Sequence, residues 1–243
     1  KKKRMEEKII QFNELNEFLS SQLEDHDNLS LNFSGNQMST QTFSDLNSAL
    51  KNCKNLTILN LDLHNNQFGP LGAFELGFTI SQFQFLKTLR LLIFNNNIKA
   101  EGTQNLMSGL VNCINLNNLT LDISVNGIGN IGITDLGENL SQCNKLKTIS
   151  LFLYYNHVNG EGILGLSSQL IKCKNLTSLF LDFQFNRIDD KSASDLGSIL
   201  KQNTKITYLE ILLMGYYLTE VSQQILKNKL NKIRRLVVNS NNF

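Results

Sequence analysis

No stretch of the sequence approaches the ~18 continuous apolar residues of a membrane-spanning helix, so no membrane partner is expected. The opening Lys1-Lys2-Lys3-Arg4 runs into a polar amphipathic stretch rather than a signal-peptide core. Charge of one sign is scarce as well. Lys and Arg number 23 against 21 Asp and Glu, a formal net charge of +2, which is too little to imply nucleic acid or membrane on its own. These features predict an intracellular, cytoplasmic protein, free or within a larger assembly. The chain begins with Lys rather than Met, as a piece cut from something longer would.

Signals of chemistry are equally thin. There is no phosphate-binding loop, no HExxH spacing and no paired-cysteine metal motif. Histidine occurs only at 26, 64 and 157, scattered through the chain. No acid, base and nucleophile are expected to converge, so the sequence predicts no enzyme, cofactor, metal site or small-molecule substrate.

What the sequence has instead is a period. Leu46, Leu76, Leu106, Leu136, Leu166, Leu196 and Leu226 stand thirty residues apart, and each is followed four positions on by an aliphatic residue (Leu50, Ile80, Leu110, Leu140, Leu170, Leu200, Leu230). Fixed self-similarity implies units that cannot bury their own apolar face and must stack on copies of themselves. Within one unit Leu59, Leu61 and Leu63 alternate as on one face of a strand, whereas Leu76 and Ile80 share one face of a helix. Each copy is therefore a strand, a bend and a helix.

Three further columns have structural explanations. Asn36, Asn66, Asn96, Asn126, Asn156 and Asn186 fall where the chain turns inward after the strand; an amide there can satisfy backbone groups that have no sheet partner. Gly72, Gly102, Gly132 and Gly162 suit a bend that needs close packing or a positive φ. Cys53, Cys113, Cys143 and Cys173 share one register with Phe83, Asn203 and Ile233, which predicts buried apolar filler in a reducing compartment rather than disulfides or a metal.

With its Leu-x-x-Leu-x-Leu run, Asn, glycine bend, helical Leu-x-x-x-Leu and Cys register, the unit resembles leucine-rich repeats of the ribonuclease-inhibitor type from about residue 26 to 235. It departs from them by an apparent two-residue extension of the strand, as at Asp62-Leu63, which predicts a longer strand. The resemblance implies an α/β solenoid, a horseshoe with a parallel sheet on the concave side and helices on the convex side. It also implies a protein-binding scaffold; regulation of a small GTPase, or linkage to a kinase or GTPase domain, enters only by analogy. The expected layout is an N-terminal capping helix over 1–25, then a repeat domain over 26–243. That domain comprises seven repeats starting at 26, 56, 86, 116, 146, 176 and 206, and a partial repeat from 236 to 243. Tyr216 replaces the asparagine of the last full copy.

If 59, 61 and 63 face the core, the concave face is written by 58, 60, 62 and 64. The 62 column reads Asp62, Leu92, Asp122, Phe152, Asp182, Leu212, and the 64 column reads His64, Phe94, Ser124, Tyr154, Gln184, Met214. Phe180 and Tyr208 add rings in the neighbouring columns. Polar and apolar copies alternate, a sixty-residue period laid over the thirty. Exposed apolar groups bounded by aspartates suit recognition of another protein, with aromatic anchors and charges that set register. Duplication of a two-copy unit, with the apolar side chains covering one another, explains the same alternation. Nucleic acid is a weaker candidate, resting on Lys1–Arg4 and on Lys227, Lys229, Lys232, Arg234 and Arg235. The period itself is testable: Leu136→Ala removes a core side chain shared between stacked copies and should cost about 2–5 kcal/mol in chemical denaturation.

Overall fold

The protein was studied as a computed structural model, which describes residues 9–215, 218–230 and 235–239. Strands and helices alternate along the chain: β1 (Ile10–Phe12), α1 (Leu15–Leu19), β2 (Asn28–Asn32), α2 (Thr40–Asn52), β3 (Ile58–Asp62), α3 (Gly69–Ile80), β4 (Thr88–Leu92), α4 (Lys99–Leu110) and β5 (Asn118–Asp122). They continue as α5 (Gly129–Gln142), β6 (Thr148–Phe152), α6 (Gly160–Leu170), β7 (Ser178–Asp182), α7 (Asp190–Leu200), β8 (Tyr208–Leu212), α8 (Glu220–Lys229) and β9 (Arg235–Asn239). The strands form one open parallel sheet in the order β1 to β9, each beside its neighbours in sequence. This is an α/β leucine-rich repeat solenoid.

Register follows the period. Leu59 pairs with Leu89, Leu89 with Leu119 and Leu119 with Ile149, so like positions stack directly. Leu59, Leu61 and Leu63 point into the core, and Leu76 and Ile80 meet them from the helix side, all five with at most 1% of their surface exposed. Strands repeat about every 4.8 Å, whereas packed helices need roughly 8–10 Å. The helix row therefore takes more room than the strand row, and the free face of the sheet is the concave one. Helix starts are fixed locally: the side chains of Ser39, Asn159 and Asp189 accept from the backbone N–H groups of Thr42, Glu161 and Ser192, and Pro70 opens α3.

Between strand and helix each copy turns on the asparagine. Asn126 Nδ2 donates to the carbonyls of Ile93, Ile123 and Ser124, each at 3.0 Å. Its Oδ1 accepts from Asn96 N–H at 2.9 Å and Ile98 N–H at 3.3 Å. The same pattern joins Asn66 to Asn96, Asn126 to Asn156 and Asn156 to Asn186. The backbone enters this turn through left-handed residues: Asn65, Asn95, Val125, Tyr155 and Phe185 have φ between 52° and 60°. Sheet-like bonds between copies run past the five-residue strands. Leu63 N–H reaches the carbonyl of Leu92, and Asn65 N–H that of Phe94.

The cysteines are free, buried thiols. Burial pushes Cys53, Cys113 and Cys143 up to about 12 and Cys173 to about 11.

Several expectations change. Residues 10–25 are not one capping helix: a short strand, a five-residue helix and a 3-10 turn (Leu23–Asp25) replace it, because β1 uses its backbone to pair with the edge of β2. Residues 1–8 and Tyr216 lie outside the described residues. Asn36 is exposed and takes no part in the ladder, since no copy precedes it whose carbonyl it could reach. Gly72, Gly102, Gly132 and Gly162 lie inside the helices, where a Cβ on Gly102 would come 3.0 Å from Pro70 Cα; the positive φ falls on Gly69 and Gly129 instead. Register also slips at the end. Leu179 pairs with Leu209 thirty residues on, but Leu209 pairs with Leu236 only twenty-seven on. The connection from α8 to β9 is shorter than that from α7 to β8, so Leu236 takes the column of Leu59 rather than that of Leu56.

Truncating a ladder asparagine orphans several buried groups at once. Asn126→Ala should lower stability by at least about 3 kcal/mol in urea denaturation, whereas Asn36→Ala should stay within about 0.5 kcal/mol.

Candidate partner-binding face of the sheet

Odd and even strand positions divide the sheet, so the side chains of the 58, 60, 62 and 64 columns stand on the face away from the helices. Cross-strand spacing then decides what touches what. The His64 ring stacks on Phe94, centroids 4.5 Å apart and planes 14° apart. Phe152 meets Phe180 at 4.8 Å, and Tyr154 lies edge-on to Phe185 at 5.2 Å. Tyr154 also meets Tyr155, which meets His157 at 5.6 Å. The expected apolar ridges are therefore not separated from the polar rows between them. Neighbouring strands are so close that rings bridge the rows.

The aspartates have an internal use. Oδ1 of Asp122 and of Asp182 accepts the N–H of the residue two positions on, Ser124 and Gln184, at 3.0 Å. Asp62 does the same for His64 N–H at 3.2 Å and also bonds His64 Nδ1 at 2.7 Å. This turn bond holds the end of the strand in each polar copy. Ser124 and Asp182 are buried rather than solvent-facing, with 7% and 9% of their surface exposed, because rings and leucines from adjacent strands close over them. Burial, with a smaller contribution from Asp122, raises the Asp182 carboxyl above its ordinary value of 3.8, and the Gln184 N–H opposes that rise.

The structure thus sorts the candidate residues into three groups. Asp62, His64, Leu92 and Phe94 form one at β3 and β4, beside Arg90 and a hollow of about 190 Å³. That volume is below the usual range of small-molecule pockets. Phe152, Tyr154, Phe180 and Asp182 form a second, around β6 and β7. Tyr208, Leu212 and Met214 make a third on β8, where the Tyr208 hydroxyl donates to Glu210. Asp122 stands between the first two on β5. The concave columns did not identify Tyr155 and Phe185, whose signal was the Tyr154-Tyr155 doublet and Phe183-Gln184-Phe185. Nor did they identify Arg90.

The histidines are dispersed, with one amendment. His26 is buried against Phe12 and Phe18, its Nε2 bonded to Ser21 Oγ, and His157 lies in the bend. His64, however, does meet an acid, Asp62. The bond orients the ring for stacking on Phe94, and no nucleophile joins the pair among the described hydrogen bonds. Among the described residues no group of three or more His, Cys, Asp and Glu could hold a metal ion. No described helix is long and apolar enough to cross a membrane. Of the basic residues near the end, Lys229 Nζ is held by the Ser194 carbonyl and by the Ser194 and Ser198 hydroxyls, joining α8 to α7. Lys1–Arg4, Lys232 and Arg234 lie outside the described residues.

No family model and no curated protein matches the chain. Solved structures do match, 78 chains among them. One is titled leiomodin-1 actin-binding site 2, with a TM-score of 0.44 and 18% sequence identity, covering 58% of this chain and 78% of that one.

The raised carboxyl of Asp182 carries a pH signature. A folded-state value above the unfolded one means that the fold favours the protonated acid. Its contribution to stability is full below 3.8 and is lost as pH rises through the folded value. Asp182→Asn keeps an Oδ1 for Gln184 N–H without the buried charge. Thermal unfolding should show the variant more stable than wild type at pH 7, with the gap closing as pH falls toward 4.

Proposed function

We propose that the chain is a non-catalytic scaffold that binds another protein through the concave face of its sheet. The observation that carries the reading is the aromatic group at β6 and β7. Phe152, Tyr154, Tyr155, Phe180 and Phe185 collect on β6 and β7 and in the turns that follow them, each retaining exposed surface. Aromatic rings held by a fixed backbone lose little entropy on binding and make effective anchors. Glu210, opposite Phe180 on the next strand, borders them and supplies charge for orientation. The rings cover one another, which accounts for part of their presence, but Tyr155 remains 50% exposed on a strained left-handed backbone. The unit is of the ribonuclease-inhibitor type in this reading, and an intracellular setting is supported by four buried thiols without disulfides.

The test begins with the native protein, purified with whatever accompanies it. Affinity for that partner is then measured with purified components. Tyr154→Ser and Tyr155→Ser should each weaken binding by about 2 kcal/mol or more, near thirtyfold, with melting temperature nearly unchanged. Unchanged affinity in both variants would remove the concave face from the proposal.

A further inference from the structure

Charge is sorted to opposite edges of the solenoid. The segments that close each helix and lead to the next strand (81–87, 111–117, 141–147, 171–177 and 201–207) hold seven lysines, all exposed, and no acid. All nine Asp and Glu between 81 and 207 lie instead on helices, at the helix cap Asp189 or on strands. Backbone bonds set these segments side by side: Asn117 N–H reaches the carbonyl of Lys87, Lys147 N–H that of Asn117, and Thr177 N–H that of Lys147. The lysines therefore form one row, about 20 Å long at the strand repeat of roughly 4.8 Å. Helix dipoles do not account for it. No helix from α3 to α7 has a basic residue in its last turn, and the dipole's pull fades beyond that turn. Among the described residues no lysine of the row forms a salt bridge.

Two large apolar side chains stand out of the same row. Phe85 is 56% exposed and Ile114 63%, on adjacent segments, and their equivalents in the other copies from 54 to 205 are Asn, Gln, Lys or Thr. Charge and apolar surface together select the occupant. The row contains no arginine, the residue whose planar fork reads phosphates and bases; the point charge of lysine suits a diffuse anionic layer. Nor can the aliphatic Ile114 stack on a base, as single-stranded nucleic acid would require. An anionic bilayer offers both partners at once, headgroup charge for the lysines and an apolar layer beneath it for Phe85 and Ile114. Two acidic features bound the row. The 51–57 segment rests on Glu24, Asp25 and Asp27, which offset Lys51 and Lys54, so the row begins only at 81. Glu138, exposed one turn before the end of α5, adjoins it from the convex side.

We propose that this edge docks on an anionic lipid bilayer, with the lysines at the headgroups and Phe85 and Ile114 inserted beneath them. Docking is peripheral and needs no spanning segment. The net charge of +2, from which no membrane partner was expected, sums over both edges and so hides this one. Edge-on docking leaves the concave face of the sheet open, so it stands or falls independently of concave-face binding.

Co-sedimentation of the full chain with vesicles tests the arrangement. Wild type should bind phosphatidylcholine vesicles that carry about 30% phosphatidylserine, more weakly as salt rises from about 0.05 to about 0.5 M, and should not bind phosphatidylcholine alone. Lys147→Glu with Lys174→Glu should weaken binding about twentyfold or more. The same change of charge at the helix starts, Lys99→Glu with Lys191→Glu, should leave it near wild type, which an effect of net charge alone would not do. Phe85→Ser with Ile114→Ser should weaken it about tenfold with unchanged circular dichroism, since neither side chain is part of the core. No binding to the anionic vesicles at low salt, equal losses in the two lysine pairs, or full binding without Phe85 and Ile114 would each overturn the proposal. So would tighter binding to single-stranded RNA or DNA than to the vesicles, which would assign the row to nucleic acid.

Discussion

The bond on which the rest depends is the one between successive asparagines. A strand that ends inside a solenoid leaves amide and carbonyl groups buried without sheet partners, and each would cost about 1–3 kcal/mol if left so. In each interior copy the carboxamide donates to its own turn and to the turn before it, and accepts from the preceding copy's amide. No interior copy completes its own turn. The identity of the asparagine therefore propagates through the chain by necessity, and with it the thirty-residue register that keeps like residues of adjacent strands opposite one another.

The concave face follows from that register. Stacked identical positions force like columns side by side, so a ring in one copy has neighbours about 4.8 Å away in the next. Phe152 against Phe180 and His64 against Phe94 are consequences of this spacing, as is the burial of Asp182. Structural and recognition roles are superposed there. Asp122 holds the amide of Ser124 and also stands between two ring groups; one carboxylate serves both the strand end and the charge pattern of the surface.

Legibility in the sequence tracks locality and repetition. The strands, the helices, the core leucines, the buried thiols and most of the ladder follow from residues that recur every thirty positions, because each copy states the same constraint again. What was not legible depends on single copies or on backbone shape. Left-handed Val125 and Phe185 have no residue signature, since neither a β-branched nor an aromatic side chain favours positive φ; their neighbours impose it. The end of the chain misled for the opposite reason: a leucine stands at 236, where the template begins a unit, and the sheet seats it three places further along. Reading the concave columns one copy at a time hid the contacts between copies, and with them the burial of Ser124 and Asp182.

The sixty-residue alternation is also written between the helices. Glycine stands at 77, 137 and 197, with Met107 and Ser167 between, and a Cβ on Gly109 would overlap the carbonyl of Gly77. Helices α3 and α4 thus approach at a point where both have dispensed with side chains. Remove the copy that contains α4, and Asn139 would stand against Gly77 where Gly109 had stood. The approach of α3 to α4 is thus particular to these two helices, although the core columns around it are shared with the other copies. Uniformity belongs to the leucine and asparagine columns, and individuality to the places where one helix leans on the next.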